Sequence, residues 1–197
     1  MKRSELQQRN RQALIAAAVD LIAGQGYRAA TVEAIAAEAD LSTGAVYSAF
    51  GGKRELFYAA IAECRAQATE ELDLPADGSV EQVLRRFGAA MAASARAEGA
   101  RRLYQFEVEL LALALHDDAV RDRLRADGDA LADFLAAALV DRPASDGSRL
   151  GAEDARRVAT LAVALARGLV QRGLWADDTE DLAAACAVLG RSVPAGR

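Results

Sequence analysis

Apolar residues recur every three or four positions through about nine segments of this chain, and no useful length alternates in twos. That spacing gathers apolar side chains on one side of a helix, so the segments must pack on one another as helices rather than pair as strands. Alanine, the strongest helix former, makes up roughly a quarter of the chain. Aromatic residues reach only 5%, too few of the large flat side chains that fill an all-β core. Two cysteines and 15 glycines in 197 residues also exclude a disulfide scaffold and a collagen-like chain. The fold class predicted is all-α.

The punctuation between segments divides the chain. A first helix over 4–24 carries Leu14, Ala17, Ala18, Leu21 and Ile22 on one face and ends at Gly24 and Gly26. Short helices follow over 32–39 and 43–50, with Thr31 and Ser42 as their N-caps. Gly51 and Gly52 stop the third, and a fourth runs from Lys53 to about Leu72. The linker at Leu74-Pro75-Ala76-Asp77-Gly78 precedes longer helices over 79–98, 101–115, 117–140, 152–175 and 179–190. The polar loop from Asp141 to Ser148 is expected to be mobile. The organisation expected is a three-helix head over 1–52, a connecting helix and linker over 53–75, and a bundle over 76–197.

Several chemistries find no support in the residues. No uncharged stretch approaches the roughly 20 residues of a membrane helix, and Arg9, Arg11 and Asp20 spoil any secretory signal near the start. Cys64 and Cys186 stand apart without a CxxC, which suits reduced thiols in a cytoplasmic protein. His116 is the only histidine and sits at a helix junction before Asp117 and Asp118, so a catalytic triad or metal cluster has little to build on. No phosphate-binding glycine motif or HExxH is present. Neither catalytic nor metal residues, nor a cofactor, are expected.

The net charge of −5 argues against nucleic acid until it is divided. Residues 1–60 hold seven bases and six acids, or +1, and the remainder carries −6. Lys2, Arg3, Arg9 and Arg11 load the start of the chain with positive charge suited to a DNA backbone or minor groove, or simply to a solvated face. The pair of short helices about Asp40-Leu41 has the proportions of a helix-turn-helix, whose second helix enters the major groove.

The run Thr31-Val32-Glu33-Ala34-Ile35-Ala36-Ala37-Glu38-Ala39-Asp40-Leu41-Ser42-Thr43-Gly44-Ala45-Val46-Tyr47-Ser48-Ala49-Phe50, followed by Gly51-Gly52-Lys53-Arg54-Glu55-Leu56, resembles the DNA-binding domain of the TetR family of bacterial transcriptional regulators. The likeness covers residues 9–61, and Phe106-Glu107-Val108-Glu109 with Ala166-Arg167-Gly168-Leu169 is similar to the BetI-like subset. The resemblance implies a homodimer that binds double-stranded operator DNA and answers to an unknown small-molecule effector. Gly44 would let the helix backbone approach DNA, while Thr43, Ala45 and Ser48 would reach base edges. Tyr47, Lys53, Thr31 and Ser42 would meet the phosphate backbone. Val46 and Phe50 should lock the helix into the core. Asp40 stands where the family usually has glycine, and Gly52 where it often has a Ser or Asn cap.

In the bundle, Leu161, Leu165 and Leu169 with Leu182, Cys186 and Leu189 form apolar stripes expected at a dimer interface, where two heads could read half-sites of a pseudo-palindrome. Phe87, Met91, Leu103, Tyr104, Phe106, Leu110 and Phe134 are candidate walls for an effector, with Glu107 a candidate ligand contact. Ordinary core packing explains each apolar one at least as well, and pairing with an arginine is the alternative for Glu107. Trp175 is expected to pack at the interface. The function expected is a ligand-released repressor, with an activator of the same fold or a helical small-molecule binder that has lost DNA binding as alternatives.

Overall fold

The structure, a computed structural model, describes residues 3–70, 72–97, 99–127, 130–173 and 181–192. Ten helices and no strand occur among them: α1 (Arg3–Gln25), α2 (Val32–Glu38), α3 (Thr43–Phe50), α4 (Lys53–Glu70), α5 (Val80–Arg96), α6 (Ala100–Ala114), α7 (Asp118–Asp127), α8 (Ala130–Leu139), α9 (Ala152–Arg172) and α10 (Leu182–Arg191). The all-α expectation holds. Of the helix expected over 117–140, α7 and α8 are the described parts, and residues 128–129 between them lie outside the described residues. Lys2 and Trp175 lie outside the described residues.

The chain forms two compact units, Met1–Ala66 with Arg101–Arg125, and Gln67–Ala100 with Ala126–Arg197. Packing therefore places α6 and most of α7 with the head, whereas the linker at 74–78 leads one to expect them in the bundle. The core of this first unit shows why. Leu14, Ile22, Ile35, Val46, Leu56 and Phe57 are 1% exposed or less, and Phe106, Leu110 and Val120 fall in the same cluster. Phe106 meets Phe57 edge-on at 5.5 Å between centroids, and Tyr27 tilts against Phe57 at 4.7 Å. Burying one Phe from water is worth about 1.5–3 kcal/mol, so losing α6 would expose a large share of the head's apolar surface.

Local chemistry sets the helix ends. Thr31 caps α2 by accepting from the Ala34 N–H at 3.1 Å. Asp40 takes the left-handed turn at φ 54°, and the Leu41 N–H returns to Ala36 O at 2.9 Å, so the family's usual glycine is replaced without loss of the turn. Asp117 caps α7 by accepting from Ala119 and Val120, and its other oxygen pairs with Arg54 at 2.9 Å.

In the second unit, α10 lies along α5 and α8 along α9, the latter pair joined by the Arg156–Asp133 ion pair. Two glycines permit the first approach. A Cβ on Gly88 would lie 2.4 Å from Leu182 O, and one on Gly190 2.7 Å from the Glu81 Cα. This corrects part of the expected dimer interface: Leu182 and Cys186 are 7% and 0% exposed within one chain, because α10 turns that face onto α5. The loop expected to be mobile is closed on itself. Ala144 N–H donates to Ser148 O at 2.8 Å, Leu150 N–H to Arg142 O at 3.0 Å, and Leu150 is 1% exposed. The Arg142 guanidinium adds bonds to Ala138 O and Pro75 O.

Candidate nucleic-acid interface

The α3 helix is held from one side and exposed on the other. Val46 is wholly buried and Phe50 half-buried, with the Arg11 guanidinium 4.5 Å above the Phe50 ring. Arg11 thus packs as a cation on an aromatic face, the solvated role being left to the exposed Arg3 and Arg9. Gly51, at φ +85°, ends α3 by returning its N–H to Tyr47 O at 2.9 Å. The opposite side presents Thr43, Gly44, Tyr47 and Ser48, all exposed, with Tyr47 at 56%. Tyr47 is therefore no core aromatic.

Gly44 has no structural reason within the chain to be glycine. A Cβ there would meet only Ser42 Oγ, at an ordinary 3.6 Å. Ser42 itself differs from expectation: it occupies the N-cap position of α3, but its hydroxyl makes no capping bond. Thr31 does cap, so its hydroxyl is engaged.

Between α1 and α3 runs a groove of about 380 Å³, lined by Gln7, Gln8 and Asn10 on one side and Ala45, Ser48 and Ala49 on the other. The arginines of this stretch carry a charge signal in the sequence, whereas its amides carry none. Amide side chains can both donate and accept, the chemistry that reads an adenine edge.

Lys53 is placed differently from a free surface cation. Its Nζ donates to Tyr27 O and lies 4.2 Å from the Tyr27 ring centroid, half-buried. Burial lowers its pKa and raises that of Tyr27. Tyr27 in turn donates its N–H to Glu109 Oε2 at 3.3 Å. This contact of Glu109 has no signal in the local sequence.

The expected effector walls differ in their exposure. Phe106 and Leu110 belong to the core of the first unit and Phe87 to that of the second, each 4% exposed or less. Leu103, Tyr104 and Glu107 on α6 are half-buried, as is Met91 on α5, and Phe134 on α8 is 37% exposed. On α9, Leu161 is 57% exposed, with Leu165 and Leu169 half-buried; on α10, Val188 is 52% exposed and Leu189 half-buried. No described helix is long and apolar enough to cross a membrane.

Residues 14–60 match the family described as bacterial regulatory proteins, tetR family. Among curated proteins, none matches the chain. A transcriptional regulator from Rhodococcus sp. Rha1 shares the fold at a TM-score of 0.69 and 22% identity, over 93% of this chain and 99% of that one. The multidrug binding protein EbrR, solved with proflavin, superposes at 0.61 with 22% identity over 93% and 99%. A protein from Saccharomonospora viridis in complex with choline gives 0.63 with 18% identity over 91% and 92%. The fold is thus that of these regulator and ligand-binding structures. The BetI-like subset gains nothing from these similarities.

Proposed function

We propose that the chain is a TetR-family transcriptional regulator, a repressor that binds a pseudo-palindromic operator as a homodimer and releases it when a small molecule binds. The observation that carries the reading is the outward side of α3. There a solvent-facing glycine that packing does not require sits among Thr43, Tyr47 and Ser48, within the matched residues 14–60. A helix normally gains about 1 kcal/mol from Ala over Gly, so a glycine kept on an exposed helix face suits close approach of a partner backbone.

In this reading Thr43, Ala45 and Ser48 contact base edges, and Tyr47 with the helix ends at Thr31 and Ser42 contacts phosphate. Lys53 meets a phosphate from its seat on Tyr27. The dimer seam uses Leu161, Leu165, Leu169, Val188 and Leu189, the larger apolar residues of α9 and α10 that the single chain leaves wholly or partly uncovered. Residues 61–197 carry −6, which favours a cationic or neutral effector over an anion. The protein acts by binding, with no catalytic step.

Gel-shift titration with DNA from the gene's own neighbourhood tests the reading. Binding is expected to weaken steeply as salt rises, through release of counterions from the phosphates. Absence of salt-sensitive binding to any fragment overturns it.

A further inference from the structure

Tyr27 is gripped from both ends of its own backbone. Its N–H donates to Glu109 Oε2 at 3.3 Å, a contact spanning 82 positions of sequence, and its carbonyl accepts from Lys53 Nζ. The same ammonium lies over the Tyr27 ring, 4.2 Å from its centroid. Gly26 makes room for the carboxylate: a Cβ at this left-handed position, φ +85°, would stand 3.1 Å from Glu109 Oε2. Elsewhere on α6, Phe106 packs on Phe57 and Arg102 pairs with Asp20 of α1 at 3.0 Å. All of these residues belong to the first compact unit.

We propose that Glu109 is a positioning residue for DNA binding, holding the Tyr27 backbone so that the Tyr27 carbonyl and ring seat the Lys53 ammonium at the start of α4. The inference rests on the reading of Lys53 as a phosphate contact. A lysine on a free four-carbon stem loses rotamer freedom when it meets a phosphate, and a seat that already restricts the stem reduces that loss. Partial burial acts in the same direction, because a cation already stripped of some water has less to shed on binding. The seat therefore depends on where α6 stands: a shift of α6 that withdraws Glu109 frees residue 27 and unseats Lys53. This supplies a route by which an event at α6 lowers DNA affinity without touching the base-reading side of α3.

The test uses the full chain and a DNA fragment that the wild type binds, with Glu109→Ala, Glu109→Gln, Glu109→Asp, Lys53→Ala and the double variant Glu109→Ala/Lys53→Ala. Glu109→Ala is expected to weaken binding about tenfold, the equivalent of one hydrogen bond, and by the same factor on fragments of different sequence. Glu109→Gln keeps an acceptor oxygen at the same reach and should stay near wild type. Glu109→Asp, one methylene short, should behave like Glu109→Ala even if the alanine variant fails to fold. In the Lys53→Ala background the added Glu109→Ala change should do nothing more, which a merely structural role would not produce. Arg102→Ala removes another α6 contact that does not lead to Lys53, and its effect should multiply with that of Lys53→Ala. Wild-type affinity in both Glu109→Ala and Glu109→Asp, or full multiplication with Lys53→Ala, overturns the inference alone. Wild-type protein that binds no DNA overturns the regulator reading with it.

Discussion

A Cβ placed on Gly44 would stand 3.6 Å from the Ser42 hydroxyl and meet nothing else in the chain. An alanine fits this site as far as the folded protein is concerned. Gly44→Ala should therefore raise the stability of the head by about 1 kcal/mol, through the lower entropy of the unfolded chain and better helix propensity. The same methyl would project from the exposed side of α3 toward the proposed DNA. The expected outcome is opposite signs in two measurements: a higher thermal midpoint and a DNA affinity reduced by tenfold or more. A variant that is more stable and binds DNA as well as wild type would show that no backbone approaches this position.

Gly88 presents the reverse case. Its added Cβ would lie 2.4 Å from Leu182 O and 2.9 Å from the Leu182 carbonyl carbon, both backbone atoms that cannot swing aside. Gly88→Ala has to push α10 away from α5, and overpacking of this kind costs about 1–3 kcal/mol. Chemical denaturation should show that loss, whereas Gly24→Ala, where a Cβ meets nothing within 4 Å, should be neutral or slightly stabilising.

Burial pushes the thiols of Cys64 and Cys186 up to about 11, with Glu107 and Glu63 adding to the effect at Cys64. The folded value lies above the ordinary 9.0, so the folded state favours the neutral thiol. The resulting stability is present below about pH 9 and is lost as pH rises toward 11. Denaturant midpoints should fall between pH 9 and 11, and less so in Cys186→Ala measured against its own value at pH 8. At pH 8 both thiols should react with a disulfide reagent far more slowly than in the unfolded chain, because the thiolate is the nucleophile. Rapid labelling of Cys186 in the folded protein would contradict its burial.

What could be read in the sequence was local, and what escaped it was long-range. The ends of α1, α2 and α3 follow from Gly26, Thr31, Asp40 and Gly51, each acting within five residues of its own position, so the head was legible almost residue by residue. The outward exposure of Thr43, Gly44, Tyr47 and Ser48 follows from helical spacing once Val46 is known to be inside. Glu109 escaped because its partner is 82 positions away, and nothing in the spacing of α6 says that a carboxylate on it will meet a backbone N–H. Leu182 and Cys186 show a different limit. An apolar stripe reveals that a face is covered but not by what, and the signals for intrachain cover were two glycines, Gly88 and Gly190, in separate helices. The polar loop after α8 has the composition of a mobile segment, whereas its order comes from backbone bonds between Arg142, Ala144, Ser148 and Leu150.

That correction moves the proposed dimer seam toward α9. Leu161 is 57% exposed and Val188 52% exposed, unlike the neighbouring Ala162, Val163 and Ala187, which the chain itself covers. Within α9, Leu161 shares its side with Ala164, Leu165 and Gly168 at helical spacing, a row of small and apolar residues on which a second copy of the helix could lie closely. Leu161→Glu would place a charge in the middle of such a seam, where burial without a partner costs several kcal/mol. Within a single chain the same side chain stays in water and should leave the thermal midpoint of the monomer almost unchanged. Analytical ultracentrifugation is expected to find wild type at about twice the mass of one chain and Leu161→Glu shifted toward the 20.8 kDa monomer. DNA affinity should fall in parallel, since two linked heads gain from the effective concentration that one head lacks. A Leu161→Glu protein that remains dimeric would place the seam elsewhere, and a wild type that sediments as a monomer would remove the dimer from the proposed mechanism.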